Sequence, residues 1–220
     1  MFINLFIFIL LIKSMQKQTL IKHWKQQNLI TDRYLEAFKK VKRENFVLKN
    51  YKRDAYEDIP LPIGFNATIS QPSTVMIMTQ ALEPEINSKI LEIGTGSGYQ
   101  AALLSELSPK GKIFTTEIIK ELAEFAKSNL KNYKNIEVLN LDGSKGYKKE
   151  APYDRIIITA AIPKIENFIL EQLKDPGILL APVGDKISQE MIKITKKDFQ
   201  IKKENLGYFI FVPLKGKFGF

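Results

Sequence analysis

Cysteine is absent from this 220-residue chain and histidine occurs once, and these two gaps remove whole classes of chemistry. Without cysteine there is no disulfide scaffold and no thiolate metal site. A single histidine, His23, builds neither a His-rich metal cluster nor a Ser-His-Asp triad around a second one. It lies beside Trp24 in a lysine-rich helical stretch, where a surface or packing role suits it. No metal is therefore expected, and the chemistry has to come from carboxylates, hydroxyls, backbone groups or a bound cofactor. Arginine is scarce as well, 4 against 29 lysines.

A membrane-spanning run is also missing. Phe2 to Ile12 is apolar except for Asn4, but a bilayer needs about 20 residues. As a signal peptide the run lacks a charged segment before it and a small-residue cleavage site after it. It is expected to be a loose extension, residues 1–14, or the product of a start placed upstream of Met15. Residues 15–220 then form a single domain, cytoplasmic and with no membrane partner. A hydrophobic content of 45% is enough for one full core.

The net charge of +9 is unevenly spread. Lys13 to Arg53 holds 12 basic residues against Asp32, Glu36 and Glu44, while from Asp54 onward 21 basic residues meet 21 acidic ones. A basic arm can bind nucleic acid. The scarcity of arginine, the preferred group for bidentate phosphate contacts, favours solvated lysine-rich helices instead.

Helical spacing marks Leu20–Gln27 and Tyr34–Val41, with Thr31 and Asp32 as N-cap candidates between them. Phe46 to Gly64 is too punctuated by proline for long regular structure. Thr74–Leu82 again has helical spacing. Strands and helices then alternate: strand Lys89–Ile93, helix Tyr99–Leu107, strand Lys112–Glu117, helix Glu121–Leu130, strands Ile136–Leu141 and Asp154–Thr159, helix Ile165–Leu173, strand Gly177–Val183. That alternation predicts an α/β fold, a doubly wound and mostly parallel sheet under an N-terminal helical cap. Met191–Ile194 and Tyr208–Pro213 read as antiparallel strands closing the sheet.

The first of those strands runs into Gly94-Thr95-Gly96-Ser97-Gly98. A strand turning through close glycines into a helix lets backbone and free N–H groups approach a ligand. A dinucleotide fingerprint would place its third glycine where Tyr99 stands. The spacing found here resembles the S-adenosylmethionine site of class I methyltransferases.

Three acids fall at or near the strand ends. Glu117, 23 residues after Gly94, is placed to accept from ribose hydroxyls. Asp142, followed by Gly143, could accept from an adenine amino group or simply make an Asp-Gly turn. Glu92 lies inside a strand and needs a partner: a cationic ligand, a backbone N–H or a lysine. Upstream, Pro60 to Pro72 carries Asn66, Thr68 and Ser70 just before a helix. Such a loop can hold a carboxylate, although local chemistry alone favours Ser70 as a plain N-cap.

The order Ala55-Tyr56-Glu57-Asp58, Pro60-Leu61-Pro62-Ile63-Gly64, Thr68-Ile69-Ser70, Leu91 to Gln100, Asp142-Gly143, Ala151-Pro152-Tyr153-Asp154, Thr159-Ala160-Ala161, Pro182-Val183-Gly184 and Phe211-Val212-Pro213-Leu214 closely resembles protein-L-isoaspartate O-methyltransferases. The likeness runs from about Trp24 to Phe220, and Gly207 to Phe220 is most like archaeal members. It implies a class I, Rossmann-like fold and methyl transfer from S-adenosylmethionine to the free α-carboxylate of L-isoaspartyl residues in damaged proteins and peptides. It also implies Ser70 as the catalytic residue, with Thr68 beside it positioning the substrate. Thr68, Ile69, Glu92, Gly94, Thr95, Gly96, Ser97 and Gly98 would hold the donor, Glu117 its ribose, and Asp142 and Gly143 its adenine. A monomer without nucleic acid is expected. The alternative is an RNA methyltransferase on the same donor fold, motivated by the basic segment; against it, the Asn-Pro-Pro-Tyr and cysteine nucleophile motifs of base-modifying relatives are missing.

Overall fold

The computed structural model describes residues 16–220, so the Phe2–Ile12 run and the choice between Met1 and Met15 lie outside the described residues. Strand β3 (Lys89–Ile93) shows how sequence becomes layer. Alternate residues point to opposite faces, and Leu91 and Ile93 enter one core cluster while Ile90 enters the other. A strand buried on both faces needs helices on both, which is the parallel arrangement.

Seven strands form one sheet in the order β5-β4-β3-β6-β7-β8-β9. They are β3, β4 (Lys112–Glu117), β5 (Ile136–Asn140), β6 (Tyr153–Ile158), β7 (Leu173–Gly184), β8 (Gln189–Lys197) and β9 (Gln200–Phe209). Pairing is parallel from β5 to β7 and antiparallel for β7–β8 and β8–β9. The chain order reverses between β3 and β6, and this switch point opens a crevice beyond the strands' carboxyl ends.

Helices α4 (Tyr99–Leu107) and α5 (Lys120–Leu130) bury Leu103, Leu104, Leu122 and Ala126 in the core cluster shared with Ile90. Above it lie α1 (helical over 16–26), α2 (Asp32–Lys40) and α3 (Pro72–Leu82). Trp24 and Phe38 are fully buried there with ring centroids 4.8 Å apart. Proline opens α3, where its missing N–H costs nothing. Thr31 is the N-cap of α2 but makes no side-chain cap bond. His23 is exposed.

Three expectations differ from the structure. Only Asn167–Leu170 of the expected Ile165–Leu173 helix is helical (α6), because Leu173 pairs with Tyr153 and the sheet claims the chain. Within the punctuated Phe46–Gly64 stretch and just after it, β1 (Leu61–Gly64) and β2 (Ala67–Ile69) form a separate two-stranded hairpin. The last strand is Gln200–Phe209 rather than Tyr208–Pro213. Beyond it Pro213 makes only an isolated bridge to Ala161.

Candidate active site

The crevice is floored by the glycine turn. Gly94 N and Thr95 N both donate to Thr116 O, at 2.9 and 3.1 Å, folding the chain back over β4. Gly94 and Gly98 have φ of +101° and +87°, where side chains are strained. Space forbids them too: a Cβ at Gly94 would lie 2.6 Å from Thr159 Oγ1, and one at Gly98 2.7 Å from Leu130 Cδ1. Thr95 is locked to Thr115 through their hydroxyls at 2.6 Å, and Asn129 Nδ2 donates to Ser97 O at 3.0 Å.

The three carboxylates meet different surroundings. Glu117 is nearly buried; its Oε2 accepts from Gly96 N and its Oε1 from Ile119 N, each at 3.0 Å. A carboxylate offers about four acceptor sites, so capacity remains toward the cleft that Glu117 lines. Glu92 is fully buried on the cleft side of β3, and neither of its oxygens has a hydrogen-bond partner among the described residues. Burial pushes its carboxyl up to about 8, the nearby Thr115 hydroxyl opposing and the Glu117 charge reinforcing the shift. Among the described residues neither a backbone N–H nor a lysine pairs with Glu92, which leaves the cationic ligand of the three expected partners.

Asp142 is not among the residues that border the cleft. Its Oδ1 accepts from Ser144 N at 3.0 Å and Ser144 Oγ at 2.6 Å, and its Oδ2 from Lys217 N at 3.0 Å. These are the bonds of an Asp-Gly turn that also clamps the C-terminal segment. Gly143, not the Asp142 side chain, lines the cleft.

The hairpin supplies the facing wall. Its tip, Gly64-Phe65-Asn66, has φ of 96°, 56° and 59°, uncommon for the two residues that carry side chains. Both Phe65 and Asn66 line the cleft. The N-cap of α3 is Gln71, and the helix's first turn is satisfied by Asp58, which accepts from Ser73 N at 2.8 Å and Ser73 Oγ at 2.6 Å. Local chemistry had favoured Ser70 for that task. With Asp58 performing it, the Ser70 hydroxyl has no partner among the described residues and borders the cavity.

Three adjoining spaces make up the cleft. The outer basin, about 640 Å³, includes Phe65, Gly96, Glu117, Gly143 and Leu214 in its wall. An inner chamber of about 440 Å³ is bordered by Ile69, Ser70, Glu92, Thr95, Ser97 and Tyr99. A mouth of about 370 Å³ lies among Pro60, Ser70, Gln71, Thr74 and Ile210. Thr68 and Thr159 border all three, so the spaces adjoin one another. Every residue expected to touch a ligand borders this cleft except Asp142 and Gly98; Gly98 instead ends the turn as the N-cap of α4. Asn66, singled out with Thr68 and Ser70 in the upstream loop, lines the basin, whereas Phe65, Thr159 and the wall from Val212 to Lys215 were not assigned a ligand contact from the sequence. Thr159 follows β6 at the switch point, so topology alone could have found it.

The donor set suits S-adenosylmethionine. A buried carboxyl group without a partner among the described residues suits a cationic ligand, Glu117 has acceptor sites to spare for a diol, and neither Gly94 nor Gly98 leaves room for a side chain. Among the described residues no group of three acidic or histidine side chains could hold a metal ion, and no helix is long and apolar enough to cross a membrane.

Comparison with known proteins agrees. The sequence profile of the protein-L-isoaspartate(D-aspartate) O-methyltransferase (PCMT) family matches residues 15–219. Protein-L-isoaspartate O-methyltransferase 2 of Archaeoglobus fulgidus is 44% identical over 208 residues, 93% of this chain and 95% of that protein. The Methanosarcina mazei protein-L-isoaspartate O-methyltransferase is 48% identical over 196 residues, 87% of this chain and 80% of its own. A solved protein-L-isoaspartate O-methyltransferase superposes with a TM-score of 0.83 at 27% identity, over 92% of this chain and 67% of that one. A Plasmodium falciparum structure in complex with S-adenosyl-L-homocysteine shares the fold, with a TM-score of 0.77 at 22% identity over 90% and 97% of the two chains.

Proposed function

The chain belongs to the protein-L-isoaspartate(D-aspartate) O-methyltransferase family, and from that premise we infer a protein-repair enzyme with the roles below. It transfers a methyl group from S-adenosylmethionine to the free α-carboxylate of L-isoaspartyl residues in damaged proteins and peptides. The relatives above carry that activity in their names, and none is an RNA enzyme, so the RNA alternative is not favoured.

When bound, S-adenosylmethionine supplies an electrophilic methyl group on a positively charged sulfur. The residues of the chain do the rest by placement. Glu92 receives the donor's ammonium, Glu117 its ribose hydroxyls, and the Gly143 backbone flanks the adenine. Thr68 and Ile69, beside Gly94–Gly98, line the path between donor and acceptor. An acceptor carboxyl with a pKa near 4 is already ionised at neutral pH, so no general base is required. Ser70, with Thr68, donates hydrogen bonds to that carboxylate and aims one oxygen at the methyl carbon. As the O–C bond forms the C–S bond breaks, and its electron pair returns to sulfur. Alignment in a water-poor chamber is the main source of rate.

The observation that carries this reading is the single inner chamber bordered both by the unpartnered Glu92 carboxylate and by Ser70. The same proposal holds residues 15–220 to be one methyltransferase domain, monomeric, cytoplasmic and independent of nucleic acid. The test is transfer of radiolabelled methyl from S-adenosylmethionine to an isoaspartyl peptide, with its aspartyl isomer as control. Base-labile label on the isoaspartyl peptide alone supports the reading. Label on both peptides, or on RNA only, rejects it.

A further inference from the structure

Arg43 is fully buried, yet no described carboxylate forms an ion pair with it. It stands in a 3-10 turn, Arg43–Asn45, between the N-terminal helices and the hairpin. Taking a guanidinium out of water is costly unless its donors are used, and here they go to backbone carbonyls. Nη1 donates to Ala55 O, and Nη2 donates to Ile59 O at 3.4 Å and to Ser70 O at 3.0 Å. Nε is buried without a partner. The carboxylate that acts on it is Asp58, already engaged by Ser73, and Glu44 is held by the Tyr56 hydroxyl.

Its other neighbour belongs to the donor side. The guanidinium carbon lies 6.0 Å from the centroid of the Tyr99 ring, within reach of a cation–π contact. Tyr99 opens α4 directly after the glycine turn and borders the inner chamber. One side chain therefore bridges the loop that carries Ser70 and the helix that follows the donor turn. A planar fork suits this task, since it reaches several oxygens at fixed angles where an ammonium reaches them singly.

We propose that Arg43 is a positioning residue for methyl transfer: by gripping the Ser70 carbonyl against α4, it fixes the backbone that presents the Ser70 hydroxyl to the acceptor carboxylate. This rests on the role assigned to Ser70 above. Arg43 touches neither donor nor acceptor, so its removal should misalign the acceptor and spare donor binding. A displacement of about 1 Å at the reacting atoms can cost about a hundredfold in rate.

The experiment compares wild type with Arg43→Lys and Arg43→Met. S-adenosyl-L-homocysteine binding is read by calorimetry, and kcat and KM are measured on an isoaspartyl peptide. The expected result for Arg43→Lys is a product dissociation constant within about twofold of wild type and a kcat at least about tenfold lower, with Arg43→Met lower still. Should Arg43→Met fail to fold, the lysine variant decides, its calorimetry certifying an intact donor site. A kcat within about threefold of wild type in Arg43→Lys overturns the proposal. A parallel fall of kcat and product affinity also overturns it, since that is general structural damage. Wild-type protein inactive on the peptide would instead reject the function, so the two failures are distinguishable.

Discussion

Glu92 and Ser70 are opposite cases of a polar residue without a partner. Glu92 has an ordinary carboxyl value near 4.5, raised in the fold to about 8. Between those values the folded chain holds a proton that the unfolded chain has released. Stability of the unliganded protein therefore falls as pH rises through that window. Glutamine fills the same space and cannot ionise. Glu92→Gln is expected to flatten that pH dependence and to raise the melting temperature above about pH 8 by several degrees. It should also weaken S-adenosylmethionine binding. Melting curves across pH, with and without donor, check both signs. Ser70 is only partly buried and has no structural bond through its hydroxyl. Ser70→Ala should leave donor affinity within about twofold and cut kcat by about a hundredfold or more, as loss of an oriented donor to a reacting oxyanion does. Equal losses of both in calorimetry and steady-state kinetics would make Ser70 a cofactor contact.

Among the elements, the glycine turn between β3 and α4 leaves the least room. A side chain at Gly98 forces a left-handed residue to carry a Cβ, at about 1–2 kcal/mol, and drives it into Leu130 of α5. Gly98→Ala should therefore destabilise the fold by at least about that much in chemical denaturation, with donor affinity falling alongside as α4 shifts. This turn was also the most legible feature of the sequence. Glycines punctuate it, and the flanking apolar runs have lengths that fit only strand and helix. The hairpin was illegible because strands of four and three residues, one containing Pro62, show no alternation to count. β9 escaped notice for another reason: as the sheet edge it is solvated on both faces, and Lys202, Lys203 and Glu204 carry no burial pattern. Such charges on an edge discourage pairing with other chains. Arg43 could not be found by looking for an acidic partner, since its partners are carbonyls that every residue possesses. The position of Asp142 at a strand end was legible in the sequence, whereas the Lys217 N–H that its Oδ2 accepts from was not, because that donor lies 75 residues away along the chain.

At the scale of the whole molecule, the cleft depends on residues far apart along the chain. Val212 to Lys215 form part of the basin wall opposite Phe65 to Thr68. They are pinned by Lys217 N on Asp142, by Phe218 N on Ser144 Oγ at 3.1 Å, and by the Phe218 ring 4.8 Å from Phe168. Deleting residues 216–220 should therefore loosen the Asp142–Ser144 turn, whose Gly143 lines the basin. An expected loss of about 1 kcal/mol, or roughly fivefold in donor affinity, is measurable by calorimetry, with kcat at saturating donor changing less. The same pinning sets an order of events during synthesis. A ribosome-tethered chain extending only through β8 already owns the glycines, both cleft-facing carboxylates and the serine loop, yet it lacks the Val212–Lys215 part of the basin wall. Such a chain is expected to bind the donor weakly until the segment beyond β9 has emerged and docked.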